Sequence, residues 1–266
     1  MNQTMPESEI NLALTGWPGV GTSTLTLLLA HILQKQYIYI GSVFRAINNH
    51  LKETSSVGLT PEFEATIQPM IGRTMDNYVD HVLLNEKGII LESDLAAFRI
   101  GKNPKVYSIF IKANLEARKD REKADGRVGV ETSIEDRDAS LKREYIKLWD
   151  TNIFDEELIA KKYNLIIDNS NLSVAEEVYA ILERYCSLPQ NKGILNYDSL
   201  VLRAKNILRK YHKKTKAKIK EDLDKADLSY TETEIMTDIA KTFPEDIQSF
   251  PKEVQNLFLG LTDRIA

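Results

Sequence analysis

Cysteine is nearly absent: Cys186 is the only one in 266 residues. That excludes an intrachain disulfide framework and fits a reducing interior. Its neighbours Tyr185 and Leu188 predict a packed helix end, not a reactive thiol. No apolar run approaches the roughly 20 residues a bilayer span needs, and a basic stretch followed by an apolar one is missing from the first residues. Neither a membrane span nor a secretory leader is therefore expected. A strong excess of one charge is missing too. The net charge of −4 argues against bulk attraction to nucleic acid or to an anionic membrane. These absences predict a soluble, cytoplasmic protein. With 42% hydrophobic and 28% charged residues, the chain has enough for a full core, read as one main domain plus an appendage.

One further absence is local. In Leu12-Ala13-Leu14-Thr15-Gly16-Trp17-Pro18-Gly19-Val20-Gly21-Thr22-Ser23-Thr24-Leu25, an apolar strand enters a glycine-rich turn that opens a helix. This is the build of a phosphate-binding loop, but Thr22 stands where the G-x-x-x-x-G-K-[ST] pattern requires lysine. Gly16 lets the chain leave the strand. Gly19 and Gly21 permit positive φ, so that the amides of Gly19, Val20, Gly21, Thr22, Ser23 and Thr24 point into one concavity. The partial positive helix N-terminus adds to them. Ser23 takes the last motif position and is the expected magnesium ligand. A nucleotide polyphosphate with Mg²⁺ is thus the expected ligand. The mobile ammonium that the loop lacks has to be replaced by cations from elsewhere.

Strand-like runs recur at residues 10–15, 37–40, 88–91, 106–112 and 163–167, with helical segments between them. This alternation predicts a parallel sheet flanked by helices. Thr60-Pro61 and the capping box Ser173-x-x-Glu176 mark helix starts. Residues 1–187 form the expected phosphate-loop domain. A linker-like stretch, 187–193, leads to a helical C-terminal extension, 197–266, with a capping box at Thr231-x-x-Glu234. Ligands of such sheets bind at the carboxyl ends of the strands, so the residues just after each strand are the informative ones.

Those residues are Gly41-Ser42-Val43-Phe44-Arg45, Glu92-Ser93-Asp94-Leu95-Ala96, the run with Arg118 and Arg121, and the segment from Arg137 through Arg143 to Lys147. In this order they resemble the archaeal-type cytidylate kinases among the P-loop nucleoside-monophosphate kinases. That family typically reads G-P-P-G-S-G-T-T-T in its phosphate loop, so threonine at position 22 looks like a family trait. The resemblance, over about residues 8 to 185, implies a five-stranded parallel core, a helical acceptor-binding segment and a short mobile lid. It implies transfer of the γ-phosphoryl group of ATP to a nucleoside monophosphate, CMP or dCMP above all. By position, Arg118, Arg137 and Arg143 match the arginines that stabilise the transferring group. Spacing alone favours a solvated helix face, since acids are interleaved; the shared pattern reverses that for these three. Glu92 closes an apolar strand as a Walker-B-like carboxylate would, a candidate magnesium ligand. A strand-end carboxylate capping a helix fits it equally well.

The acceptor segments depart from the family. Ser42 stands where the family has aspartate, and Asp94 where it has an arginine that grips the acceptor phosphate; Arg45 persists. Ser42, Arg45 and Asp94 are the candidate substrate-binding residues. A carboxylate there should repel a directly bound phosphate. Three accounts follow: Asp94 turns away, it accepts hydrogen bonds from base or sugar, or it removes a proton from a non-nucleotide hydroxyl. A nucleotide-binding regulatory or adaptor module without acceptor activity is the alternative from another class.

In the extension, a basic run from Arg203 to Lys220 shares its helical segments with an apolar stripe, Leu200, Ala204, Ile207 and Tyr211. Glu221-Asp222-Leu223-Asp224 follows at once and shortens its field, so nucleic acid is not the expected partner. Phe243, Phe250 and Phe258 predict a small bundle. Dimerisation, packing on the kinase core and binding of a protein partner all suit it, and the sequence does not choose.

Overall fold

The computed structural model describes residues 9–54, 61–124 and 133–262. The expected N-cap at Thr60 and the extreme N-terminus lie outside these residues. Five strands, β1 (Asn11–Gly16), β2 (Gln36–Tyr39), β3 (Ile89–Glu92), β4 (Val106–Lys112) and β5 (Leu165–Asp168), pair in the order β2-β3-β1-β4-β5, every pairing parallel. Leu12, Ala13 and Leu14 of the central strand have no exposure on either face, as a parallel sheet covered on both sides demands. Sequence and structure differ by one or two residues at strand ends. Gly88 leaves its strand because it turns, at φ 72°.

Between the strands lie α1 (Thr22–Leu33), α2 (Ile40–Thr54), α3 (Pro61–Asn85), α4 (Leu115–Ala124), α5 (Ile134–Trp149) and α6 (Glu156–Lys162), and α7 (Val174–Cys186) follows β5. The capping box at Ser173 and Glu176 forms, as does one at Ser133 and Asp136 that starts α5. Cys186 ends α7 half-buried, and burial pushes its thiol up to about 11. No described helix is long and apolar enough to cross a membrane.

After a short 3₁₀ turn (Pro189–Asn191) come α8 (Tyr197–Lys210), α9 (Lys216–Lys225), α10 (Glu232–Thr242), α11 (Pro244–Ser249) and α12 (Lys252–Thr262). Their buried residues join the cores on both faces of the sheet. Leu200, Ala204, Tyr211, Ile219 and Leu223 pack with Leu25, Leu28 and Ile181 on one face. Ile235, Ile239, Phe250 and Phe258 pack with Val43, Ile47 and Val79 on the other. The phenylalanines expected to hold a small bundle thus enter the kinase core, because α2 and α3 present an apolar face that the sheet alone leaves open.

Candidate active site

The phosphate loop starts where Gly16 leaves β1. A Cβ on Gly16 would meet Thr22 Oγ1 at 2.7 Å and the carbonyl of Ile111 at 2.8 Å, so only glycine lets the loop fold back this tightly. Gly21, at φ 91°, caps α1 with no side-chain cap bond and no acid in the first turn. The first amides of α1 are therefore left for an anion from outside. Asn169, just past β5, anchors the loop from the far side: its Nδ2 donates to the carbonyl of Val20 at 3.0 Å, and Arg121 in turn donates to its Oδ1 at 2.8 Å.

Below the loop, Ser23 Oγ donates to Glu92 Oε1 at 2.6 Å, and the Tyr37 hydroxyl donates to Glu92 Oε2 at 3.0 Å. Burial pushes the Glu92 carboxyl up to about 7, although both hydrogen bonds favour its anion. The Walker-B-like position therefore holds a buried carboxylate tied to the motif serine. The helix-capping alternative does not describe it.

A cavity of about 300 Å³ opens from Gly16, Thr22 and Glu92 toward α2, α3 and α5. Arg45, Asp76, Asp94, Arg137, Glu144 and Tyr145 stand on its wall. Thr15 Oγ1 fixes the turn that carries Asp94, donating to the carbonyls of Ser93 and Ala96 at 3.0 and 3.1 Å. Burial in the cleft raises the Asp94 carboxyl, while Arg137 and Arg45 pull it back down. Arg45 Nη1 donates to the Tyr39 hydroxyl at 2.9 Å. Asp76 accepts from Trp149 Nε1 at 2.8 Å, yet burial raises it to about 7, and Glu144 is raised by burial too.

Not every expected residue reaches this cavity. Ser42 is not part of its wall; its hydroxyl donates to the carbonyl of Tyr39 at 2.8 Å, a local bond at the first turn of α2. Arg118 is buried, donates to both oxygens of Asp138 at 2.9 and 2.8 Å, and reaches the carbonyl of Pro18 at 3.2 Å. In this conformation it is a strut joining α4, α5 and the phosphate loop. Arg137 pairs with Glu122 and borders the cavity. Arg143 is exposed on α5 and outside the cavity wall. Sequence reasoning missed Asp76, Glu144, Tyr37 and Asn169. None carries a local motif, and Asp76, Tyr37 and Asn169 take their roles from Trp149, Glu92 and Val20, far along the chain.

No family model matches the chain. The cytidylate kinase of Methanosarcina barkeri is 30% identical over 166 residues, which cover 60% of this chain and 87% of that protein. The chain belongs to the cytidylate kinase family. A second cytidylate kinase, from Sulfurisphaera tokodaii, is 24% identical over 186 residues, 69% of this chain and 98% of that protein. Among solved structures, a shikimate kinase from Bacteroides thetaiotaomicron aligns at 12% identity with a TM-score of 0.42, over 66% of this chain and 98% of that one.

As a cytidylate kinase family member, the chain is a P-loop phosphotransferase that uses ATP. The residues present fit magnesium as a partner of bound nucleotide. Among the described residues no cluster of three or more His, Cys, Asp or Glu could hold a metal alone. Ser23 and Glu92 offer one hydroxyl and one carboxylate, the sparse protein share typical of an ion also held by phosphates.

The raised carboxyls have a consequence for stability. Glu92 and Asp76, each near 7 against ordinary values of 4.5 and 3.8, bind more protons folded than unfolded. Their contribution is present below the unfolded values and is lost as pH rises through about 7, together of the order of a few kcal/mol. The nucleotide-free protein should melt at lower temperature at pH 8 than at pH 5.5. Calorimetry across that window checks this, and a melting temperature that climbs toward pH 8 refutes it.

Proposed function

We propose that the chain transfers the γ-phosphoryl group of ATP to the phosphate of CMP or dCMP, in the cytoplasm. The observation that carries this reading is a single cavity that begins at Thr22 and Glu92 and has Arg45 and Arg137 on its wall. Phosphoryl transfer asks for positioning and for neutralised charge more than for covalent chemistry. The amides of residues 19–24 would hold the donor phosphates, and Ser23 with Glu92 would hold magnesium, which bridges and neutralises phosphate oxygens when bound. Arg45 would orient the acceptor phosphate. Arg137 would stabilise the group in transit. Asp94, with its carboxyl raised, would accept hydrogen bonds from the cytosine amino group or the sugar.

One observation favours a second reading, a non-nucleotide alcohol as acceptor. Among the described residues, four carboxyls, Asp76, Glu92, Asp94 and Glu144, share the cavity wall with two guanidinium groups, Arg45 and Arg137. A dianionic phosphate gains little in such surroundings, whereas a hydroxyl gains a general base in Asp94.

Steady-state assays with ATP, Mg²⁺ and a panel of CMP, dCMP, UMP, AMP and neutral polyols decide between them. Turnover is expected with CMP or dCMP at a kcat/KM at least tenfold above that of any polyol. Turnover confined to a polyol supports the second reading. ATP binding without transfer to any of them marks a regulatory module instead.

A further inference from the structure

The cytidylate kinases of M. barkeri and S. tokodaii are matched over 87% and 98% of their length by only 60% and 69% of this chain. Of the helices beyond α7, α8 and α9 dock along α1, the helix that the phosphate loop opens into. Arg203 Nη1 donates to the carbonyl of Ile32 at 3.2 Å, and His31 Nε2 lies 3.2 Å from the carbonyl of Ile219 and 3.0 Å from the Tyr211 hydroxyl.

The direction of α9 follows from what comes after it. Tyr37 N donates to the carbonyl of Leu228 at 2.9 Å, and Tyr230 N donates to the carbonyl of Tyr37 at 3.0 Å, with Ser229 paired parallel to Tyr37. Residues 228–230 therefore run with β2 toward the carboxyl edge of the sheet. A helix that enters this segment through the turn at Ala226 and Asp227 has come the opposite way. Lys216, which opens α9, thus sits at the end nearest the phosphate loop. Lys220 is one turn on and shares its face; its Nζ reaches Ser229 Oγ at 3.1 Å. That face looks onto the β2 edge, where Tyr37 holds Glu92 and Glu92 holds Ser23. Among the charges acting on Glu92, Lys216 is one that favours its anion.

We propose that the C-terminal extension supplies Lys216 as the cation missing from the phosphate loop at Thr22, acting on the magnesium-bound triphosphate above Ser23 and Glu92. Lysine suits the task, because a compact charge on a four-carbon stem can follow phosphate oxygens without a fixed approach geometry. The proposal rests on the donor-site reading given above.

The test uses the full chain. Lys216→Ala should weaken Mg-ATP binding roughly tenfold or more by calorimetry, as expected when a charged hydrogen-bond donor is removed. It should raise KM for ATP in parallel and leave KM for the acceptor unchanged. Lys216→Arg should recover most of the affinity, and Thr22→Lys in the Lys216→Ala background should restore it from within the loop. Lys220→Ala, on the same face, controls for loosened docking and should leave Mg-ATP affinity as in the wild type. Wild-type affinity in Lys216→Ala, or an equal loss in both alanine variants, overturns the proposal. If the wild-type chain itself gives no heat with Mg-ATP, it is the donor-site reading that fails.

Discussion

Replacing Arg137 by alanine should lower kcat for phosphoryl transfer by roughly 10³, the scale seen when a guanidinium that stabilises a transferring phosphoryl group is lost. The capping box of Ser133 and Asp136 fixes the start of α5, so Arg137 is held in the first turn of a well-anchored helix. From there it borders the cavity and bears electrostatically on Asp94. Its resting partner is Glu122, and its side chain is about one-third exposed, 36%. An exposed pair of this kind contributes at most about 1 kcal/mol, so the variant should unfold within a few degrees of the wild type. The loss should fall on kcat more than on the KM for either substrate, because the charge is needed most in the transition state. Arg137→Lys should recover only part of the rate, since an ammonium lacks the planar fork. A kcat within threefold of wild type for Arg137→Ala would remove this residue from the chemistry and leave Arg45 as the cavity's basic group.

Arg118→Ala should behave differently, although both arginines look alike in sequence. The buried guanidinium of Arg118 joins Asp138 and the carbonyl of Pro18, and neither partner is local: they stand 20 and 100 positions away. Spacing on a helix told that Arg118 and Arg121 share a face. It could not tell that one grips α5 and the other Asn169. Ser42 shows the same limit: its hydroxyl satisfies a backbone carbonyl at the start of its own helix and never enters the cavity wall. The acidic wall was legible only at Glu92 and Asp94, at the carboxyl end of β3, where a motif drew the eye. Asp76 and Glu144 read as ordinary helical charges until α3 and α5 come together.

Much of the core was readable, for a reason the strands make plain. Runs such as Leu12-Ala13-Leu14 and Ile89-Ile90-Leu91, apolar on both faces, have few places to go except a sheet covered twice. The docking of the C-terminal helices was not read, but a signal existed. Every residue of α1 from Leu25 to Ile32 is buried, so the helix is covered all round. A helix apolar on every side needs more neighbours than one sheet and one helix provide. That demand could have assigned the stripe of Leu200, Ala204 and Tyr211 to α1. The second stripe, ending at Phe258, answers the same demand from α2 and α3.

Glu92→Gln should separate activity from stability, moving them in opposite directions. Glutamine keeps the size of the side chain, its carbonyl can still accept from the Tyr37 hydroxyl, and Ser23 can turn to accept from its amide. The fold should therefore survive. What disappears is the negative charge that the residue carries above its raised pKa of about 7. Magnesium-dependent transfer should fall roughly 10²-fold or more, as when one preorganised electrostatic group is removed from a water-excluded site. The nucleotide-free variant should nevertheless melt higher than the wild type at pH 8, by the order of 1–3 kcal/mol, because a buried carboxylate no longer ionises there. At pH 5.5 the gap should already be narrower, and it should close only below about pH 4, where Glu92 is protonated both folded and unfolded. Binding of Mg-ATP to the wild type should release a proton near pH 7, detectable as a dependence of the calorimetric heat on the buffer's ionisation enthalpy, and the variant should show less of it. A variant that is less stable at every pH, with activity intact, would mean that Glu92 serves the packing of β3 against α1 and not the phosphates.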